Sequence, residues 1–339
     1  MSGDGWTVVG AGAVGGSLAT GLALAGVPVR LVDTDAEHVA AVRAGGLRIR
    51  RPDGTELRAD VPADQPTDGP RELGRVLLAV KAQATGAAMG WVAPRLAADG
   101  FVVSAQNGLC EQQVAAAVGA DRTVACFVNL FADLVEPGVV ADGGGGTVVV
   151  GEWTGPPRER TRRAVAELSA RRPVQLSENV PGFLWSKLAY TAAAAAGSTT
   201  DEPIGAALGG SADVVLALVH EVYRVASAEG VRPEAFDEWD ADGLLPDAGA
   251  ARNSAALTRM CDWLVAQPKD RTGIWRDLVV RRRPTEVPAL LAPVRAAARR
   301  HRLPCPGLDE LLAVYARLES GDQRTGPTHL SRLAAAVAA

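Results

Sequence analysis

The chain's clearest chemical signal lies in Val8-Val9-Gly10-Ala11-Gly12-Ala13-Val14-Gly15-Gly16, where the glycines at 10, 12 and 15 fit the spacing G-x-G-x-x-G. That spacing suits a strand turning into a helix whose free N–H groups and dipole face a pyrophosphate. Gly10 permits the tight turn, Gly12 lets the backbone approach phosphates, and Gly15 lets helix and strand pack closely. The chain has 37 glycines, so the context must carry the reading. Asp33 follows Gly15 by 18 residues, near the spacing of about 20 for an acid that hydrogen-bonds the ribose hydroxyls. A carboxylate there suits NAD and repels the 2′-phosphate of NADP. The competing role is a strand-ending aspartate that caps the next helix. Lys81 follows the apolar run Val76–Val80, and Asn107 follows Phe101–Ala105 within Gln106-Asn107-Gly108. Open α/β sheets bind ligands beyond the carboxyl ends of their strands, so both residues are candidates to face a cofactor. A solvated lysine and an ordinary Asn-Gly turn are the alternatives.

The elements that must position these groups follow from periodicity. Thr7-Val8-Val9 reads as a first strand, and 18–25 as a helix ended by Gly26 and Pro28. Val27–Val32 reads as a second strand closing on Asp33, which completes one βαβ unit. Residues 34–46 suit a helix, Leu47–Arg50 with Asp53-Gly54 a hairpin, and 62–71 a loop. Further strands are expected at 76–80, 101–105, 123–128, 147–151 and 174–176, with helices at 85–97 and 158–171. Gly143–Gly146 marks a turn between strands. After about residue 177 the pattern changes to long helices at 183–196, 211–229, 288–300 and 308–318. The acidic stretch 234–247 reads as a solvated loop or irregular helix. The fold class is therefore α/β: a Rossmann doubly wound domain over 1–177, then an all-α domain over 178–339, with a cleft between them.

Composition narrows the function. A length of 339 residues favours two domains, and 47% hydrophobic with 22% charged residues is ordinary for a soluble protein. A net charge of −4 gives no basic field for nucleic acid. Cys110, Cys126, Cys261 and Cys305 are scattered, and His38, His220, His301 and His329 stand apart, so neither a disulfide framework nor a metal site is expected. With no apolar run of about 18 residues, no membrane span is expected. No leader is expected before the first strand, so the cytoplasm is the expected location.

Five motifs in order resemble the ketopantoate reductase family: Gly10-Ala11-Gly12-Ala13-Val14-Gly15, Lys81-Ala82, Gln106-Asn107-Gly108, Trp185-Ser186-Lys187-Leu188 and Thr285-Glu286. The resemblance implies a Rossmann domain and a helical domain like the C-terminal domain of 6-phosphogluconate dehydrogenase, with a small-molecule substrate bound between them. It implies hydride transfer from a reduced nicotinamide to a 2-oxo acid, and a homodimer is common among such relatives. By that analogy Lys187 is the general acid and Glu286 orients the substrate. Gly10, Ala11, Gly12, Ala13, Val14, Gly15, Asp33, Lys81 and Asn107 contact the cofactor. Asn107, Lys187, Thr191, Gly273, Trp275 and Glu286 face the substrate. Reduction builds alkoxide charge on the carbonyl oxygen, and a lysine can meet it as cation and proton donor when burial lowers its pKa.

The chain departs from the family at several positions. Thr191 and Ala195 stand where asparagines are usual, one and two turns after Lys187 on the same helix face. Gly273 stands at a serine position, and the spacing from Asp277 to Glu286 is one residue longer than usual. Losing polar partners can change discrimination by several orders of magnitude, so ketopantoate itself is not the expected substrate. Arg271 and Trp275 would shape the pocket for a larger or less polar one. Asp33 replaces a basic residue, and Arg30 lies within the strand, so NADH is expected over NADPH. Imine reduction, hydroxy-acid oxidation and a non-catalytic dinucleotide sensor are the competing functions.

Overall fold

Unbroken apolar runs at the start of the chain form strands buried on both faces. The computed structural model describes residues 5–267 and 270–338. The chain divides into two units, Met1–Val180 and Pro181–Ala339.

The first unit runs β1 (Trp6–Val9), α1 (Ala13–Leu24), β2 (Val29–Val32), α2 (Ala36–Gly45), β3 (Leu47–Arg50), β4 (Glu56–Ala59), β5 (Ala63–Asp64) and β6 (Leu73–Leu78). It continues with α3 (Thr85–Val92), β7 (Leu96–Ser104), α4 (Glu111–Val118), β8 (Thr123–Val128), β9 (Ala132–Glu136), β10 (Val139–Asp142), β11 (Val148–Glu152), α5 (Glu159–Leu168) and β12 (Gln175–Leu176). The main sheet has the order β12-β11-β8-β7-β6-β1-β2-β5. Its strands pair in parallel except β8 with β11. From β1 the chain goes to β2 on one side and later to β6 on the other. This reversal is the switch point where doubly wound sheets bind ligands.

Alternation along each strand sorts side chains to two cores. Val8, Leu31, Leu77 and Val103 face one, with Leu18 and Leu22 of α1 and Leu168 of α5. Val9, Val32, Leu78 and Val102 face the other, with Met89 and Val92 of α3 and Val114 of α4. Burial on both faces explains why these strands read as continuous apolar runs.

A second sheet has the order β4-β3-β10-β9. It contains the expected hairpin as antiparallel β3–β4, but β9 and β10 were not expected from sequence. The stretch 62–71 is not loop throughout, because Ala63 and Asp64 pair with Leu31 and Val32.

The second unit comprises α6 (Val180–Gly197), α7 (Ile204–Gly209), α8 (Ala212–Ala228), α9 (Ala250–Val265), α10 (Gly273–Trp275), α11 (Val287–Arg300), α12 (Pro306–Glu319) and α13 (Thr328–Ala338). Helix α8 packs against α11, α12 and α13. The acidic stretch 234–247 is only partly solvated. Phe236 and Trp239 bridge through their backbones and are buried, and the Trp239 indole N–H donates to Tyr223 Oη at 2.8 Å. After α10 the chain takes five residues of π-helix, Arg276–Val280, with the Arg281 N–H on the Arg276 carbonyl at 2.8 Å. A π turn takes up one residue more than an α turn. Its last four residues, Asp277–Val280, open the stretch that leads from Asp277 to Glu286. Among the described residues no helix is long and apolar enough to cross a membrane.

Candidate active site

The glycine turn has the geometry its spacing predicts. Gly10 sits at φ +93°, and its N–H donates to the Val32 carbonyl at 2.9 Å. A Cβ at Gly15 would stand 1.9 Å from the Gly10 carbonyl oxygen, whereas one at Gly12 would meet nothing within 4 Å. Gly12 is the N-cap of α1, with no side-chain cap and no acidic residue in the first turn that Ala13 and Val14 begin. A helix start of this kind offers N–H groups and positive potential to phosphates. The open space at Gly12 is the space a pyrophosphate needs, so these residues fit a dinucleotide.

Asp33 lies just beyond β2 and turns to the glycine loop. Its Oδ2 accepts the Ala11 N–H at 2.6 Å, and its Oδ1 accepts the Asp35 N–H at 2.9 Å. The cap of α2 is Asp35, which accepts from Glu37 and His38; the helix-capping alternative for Asp33 is thereby excluded. Arg30 pairs with Asp64.

His38, set apart in the sequence, belongs to this loop. It is buried, with Nδ1 accepting the Gly138 N–H and Nε2 facing the Ala11 carbonyl, both at 3.0 Å. An amide N–H can only donate, so Nδ1 carries no proton and Nε2–H donates to Ala11. The two peptides flanking the Ala11 Cα are thus both held, one by Asp33 and the other by His38. Only the sheet that brings Gly138 to His38 reveals this.

Lys81 is exposed and stands three residues past β6, not directly at a strand end as the run Val76–Val80 suggests. It begins a short 3₁₀ turn in which the Ala84 N–H donates to its carbonyl at 2.8 Å. Gln106 is buried and donates to the Val80 carbonyl at 2.9 Å and to Thr85 Oγ1 at 2.8 Å. It ties the ends of β6 and β7 together. Asn107 follows, half-buried. Because β1, β6 and β7 are neighbours in parallel, the glycine turn, Lys81 and Asn107 all follow the carboxyl edge of one sheet. Glu111, in the first turn of α4, is fully buried, and desolvation pushes its carboxyl up to about 8.

In the second unit Lys187 is half-buried midway along α6, between buried Ser186 and Leu188. Ser186 Oγ accepts the Tyr223 hydroxyl at 3.3 Å and the Glu234 N–H at 3.1 Å, which fixes the rotation of α6. Thr191 donates its hydroxyl to the Lys187 carbonyl at 2.7 Å, so it is satisfied within its own helix. Ala195 is buried. Ser198, just past α6, hydrogen-bonds Thr272 at 2.7 Å, and Thr272 caps α10 by accepting the Trp275 N–H at 3.0 Å. A Cβ at Gly273 would meet nothing within 4 Å. The Trp275 indole donates to Asp201 Oδ1 at 3.1 Å, and the Arg271 guanidinium lies 5.3 Å above its ring while donating to the Asp201 carbonyl at 2.6 Å. Arg271 and Trp275 therefore form one pinned cluster.

Glu286 is the N-cap residue of α11, without a side-chain cap bond. The alternative to a substrate role for Glu286 is a place in the first turn behind a Thr285 cap. Thr285 Oγ1 does accept the Val287 N–H at 3.2 Å, but one residue earlier than a capping residue would stand. Upstream, Asp277 accepts from Arg281 at 3.0 Å and Arg283 at 2.9 Å and gathers the segment that leads to Glu286. Among the described residues no group of three or more His, Cys, Asp and Glu forms a metal site.

Comparison with known proteins agrees with this architecture. Residues 6–155 match the family Ketopantoate reductase PanE/ApbA, and residues 179–319 match Ketopantoate reductase PanE/ApbA C terminal. A 2-dehydropantoate 2-reductase of Mesorhizobium japonicum is 26% identical over 337 residues, covering 92% of this chain and 97% of that protein. The structure of a PanE/ApbA family ketopantoate reductase from Ralstonia eutropha JMP134 superposes with a TM-score of 0.77 at 26% identity, over 94% of this chain and all of that one (100%). A D-mandelate dehydrogenase, solved with NADH and anilino(oxo)acetate, shares the fold with a TM-score of 0.79 at 20% identity, over 93% of this chain and 99% of that one. Both halves of the chain thus match one family in order, and the chain belongs to the ketopantoate reductase family of NAD(P)-dependent oxidoreductases acting on the CH–OH/C=O couple.

Proposed function

We propose that the protein is an NADH-dependent reductase of a 2-oxo acid or related carbonyl compound other than ketopantoate. The observation that carries this reading is the face of α6 that begins at Lys187. There Thr191 spends its hydroxyl on the Lys187 carbonyl and Ala195 offers no polar side chain, while on α10 Gly273 leaves open space. A site built to hydrogen-bond a hydroxylated acid would keep those polar groups.

The nicotinamide, when bound, supplies the hydride. The glycine turn and the start of α1 would hold the pyrophosphate, and Asp33, which already accepts from the Ala11 and Asp35 N–H groups, would accept from the ribose hydroxyls. Lys81 and Asn107 orient the nicotinamide half and the substrate. Lys187 gives its proton to the carbonyl oxygen as negative charge develops there, and Glu286 holds the substrate in register for that transfer. Proton donation of this kind contributes about 10²- to 10⁴-fold. Lys187→Ala should therefore cut turnover at least about 100-fold with NADH affinity little changed, and unchanged turnover would remove Lys187 from the role. The preference for NADH is read from Asp33. Paired saturation curves should show a lower KM for NADH than for NADPH, and equal or better use of NADPH contradicts it.

A further inference from the structure

We propose that Tyr315 and Glu319, one turn apart on α12, are positioning residues that fix the backbone carrying Lys187 relative to the backbone carrying Glu286. This rests on the roles given above to those two side chains.

Tyr315 is fully buried, and its hydroxyl donates to the Ala195 carbonyl at 2.9 Å. Ala195 lies on α6 two turns beyond Lys187. Its carbonyl belongs to the last turn of that helix, where intrahelical donors run out. The Thr199 N–H, four residues on, donates to Ala196 instead at 3.2 Å. Tyr315 thus supplies a donor to a helix end that lacks one. Burial raises the phenol well above its ordinary value, so the donor keeps its proton at any working pH.

Glu319 acts on the other element. Its Oε1 accepts both the Thr285 N–H at 2.8 Å and the Thr285 hydroxyl at 2.7 Å, directly before Glu286. Residues four apart share a helix face, so one face of α12 holds both elements. The helix is itself anchored by buried Leu308, Leu311 and Val314. A rigid turn of helix between two hydrogen-bonded anchors sets a distance. Ion pairing does not explain the arrangement, since both anchors go to backbone or hydroxyl groups.

Misplacement of reacting groups by about 1 Å can cost about 10²-fold in rate. The test measures kcat, KM for NADH and thermal melting in Glu319→Ala, Glu319→Gln, Tyr315→Phe and Lys187→Ala, using the wild-type enzyme's best 2-oxo acid. Glu319→Ala and Tyr315→Phe should each lower kcat about 10- to 100-fold in folded protein while KM for NADH stays constant. Glu319→Gln keeps an acceptor oxygen and should retain most of the turnover. The double variant Glu319→Ala with Tyr315→Phe should lose less than the product of the single losses, because the two residues set one distance. Should Glu319→Ala fail to fold, Tyr315→Phe against Glu319→Gln carries the same comparison. Lower melting with an unchanged kcat, or a loss confined to KM for NADH, overturns the inference. If Lys187→Ala is inactive while Glu319→Ala turns over normally, the inference alone falls. If Lys187→Ala is fully active, or no 2-oxo acid is reduced, the proposed function falls and takes the inference with it.

Discussion

A single methyl group separates two glycines of one turn. At Gly15 a Cβ would lie 1.9 Å from the Gly10 carbonyl oxygen, so Gly15→Ala should destabilise the first unit and abolish NADH binding together. At Gly12 the space is open, and its φ of −66° lies outside the left-handed region that favours glycine. Gly12→Ala should keep a near-wild-type melting temperature while its methyl takes the pyrophosphate's place, raising the Kd for NADH at least about tenfold, or about 1.4 kcal/mol. Thermal melts and NADH titrations of both variants check this, and equal NADH binding by Gly12→Ala and wild type would contradict it. At this scale the sequence was legible where spacing alone sets geometry. The tight turn at Gly10 and the close approach at Gly15 could be read directly. The bond from Asp33 to Ala11 and the bridge through His38 could not, because each depends on a partner brought near by folding.

Helix α4 carries an unusual first turn, in which fully buried Glu111 follows the Asn107 turn. Desolvation raises its carboxyl from an ordinary 4.5 to about 8, and neither carboxyl oxygen has a hydrogen-bond partner among the described residues to offset it. The folded protein therefore binds this proton more tightly than the unfolded chain does. The resulting stability is fully present below about 4.5 and is lost as pH rises to about 8, with a slope of about 1.4 kcal/mol per pH unit. Glu111→Gln stays neutral throughout, so it should melt higher than wild type at pH 8 to 9 and much closer to it near pH 5. Parallel melting curves of the two proteins at all pH values would count against a buried neutral acid. Element types were mostly readable, and the misses have physical causes. The parallel pairing of β10 with β3 joins residues far apart in sequence. Helix α9 buries Ala256, Leu257, Met260, Cys261 and Leu264, a helical spacing interrupted by polar residues between them. Arg282 sits at φ +50°, just past the π-helix. A side chain there costs about 1–2 kcal/mol, and Arg282→Gly should raise the melting temperature unless the glycine's extra unfolded-state entropy of about 0.5–1 kcal/mol cancels it. A fall in melting temperature would mean the left-handed turn is not strained.

For the whole molecule, the two units read differently. The first carries the glycine turn and Asp33 beside the switch point of its sheet, and the family match runs through it. The second carries Lys187 on α6 and Glu286 at the start of α11. Thr191 is satisfied within its helix, Gly273 is open, and Trp275 is pinned by Asp201 beneath Arg271. Which side chain a substrate presents to that surface is a matter of shape, which spacing in a sequence does not encode. The central claim is that the cofactor chemistry is retained while the substrate has changed. The most direct measurement is kcat/KM with NADH for ketopantoate beside a panel of aliphatic and aromatic 2-oxo acids. At least one other 2-oxo acid should exceed ketopantoate by tenfold or more, about 1.4 kcal/mol in transition-state binding. Ketopantoate as the best substrate of the panel would contradict the account.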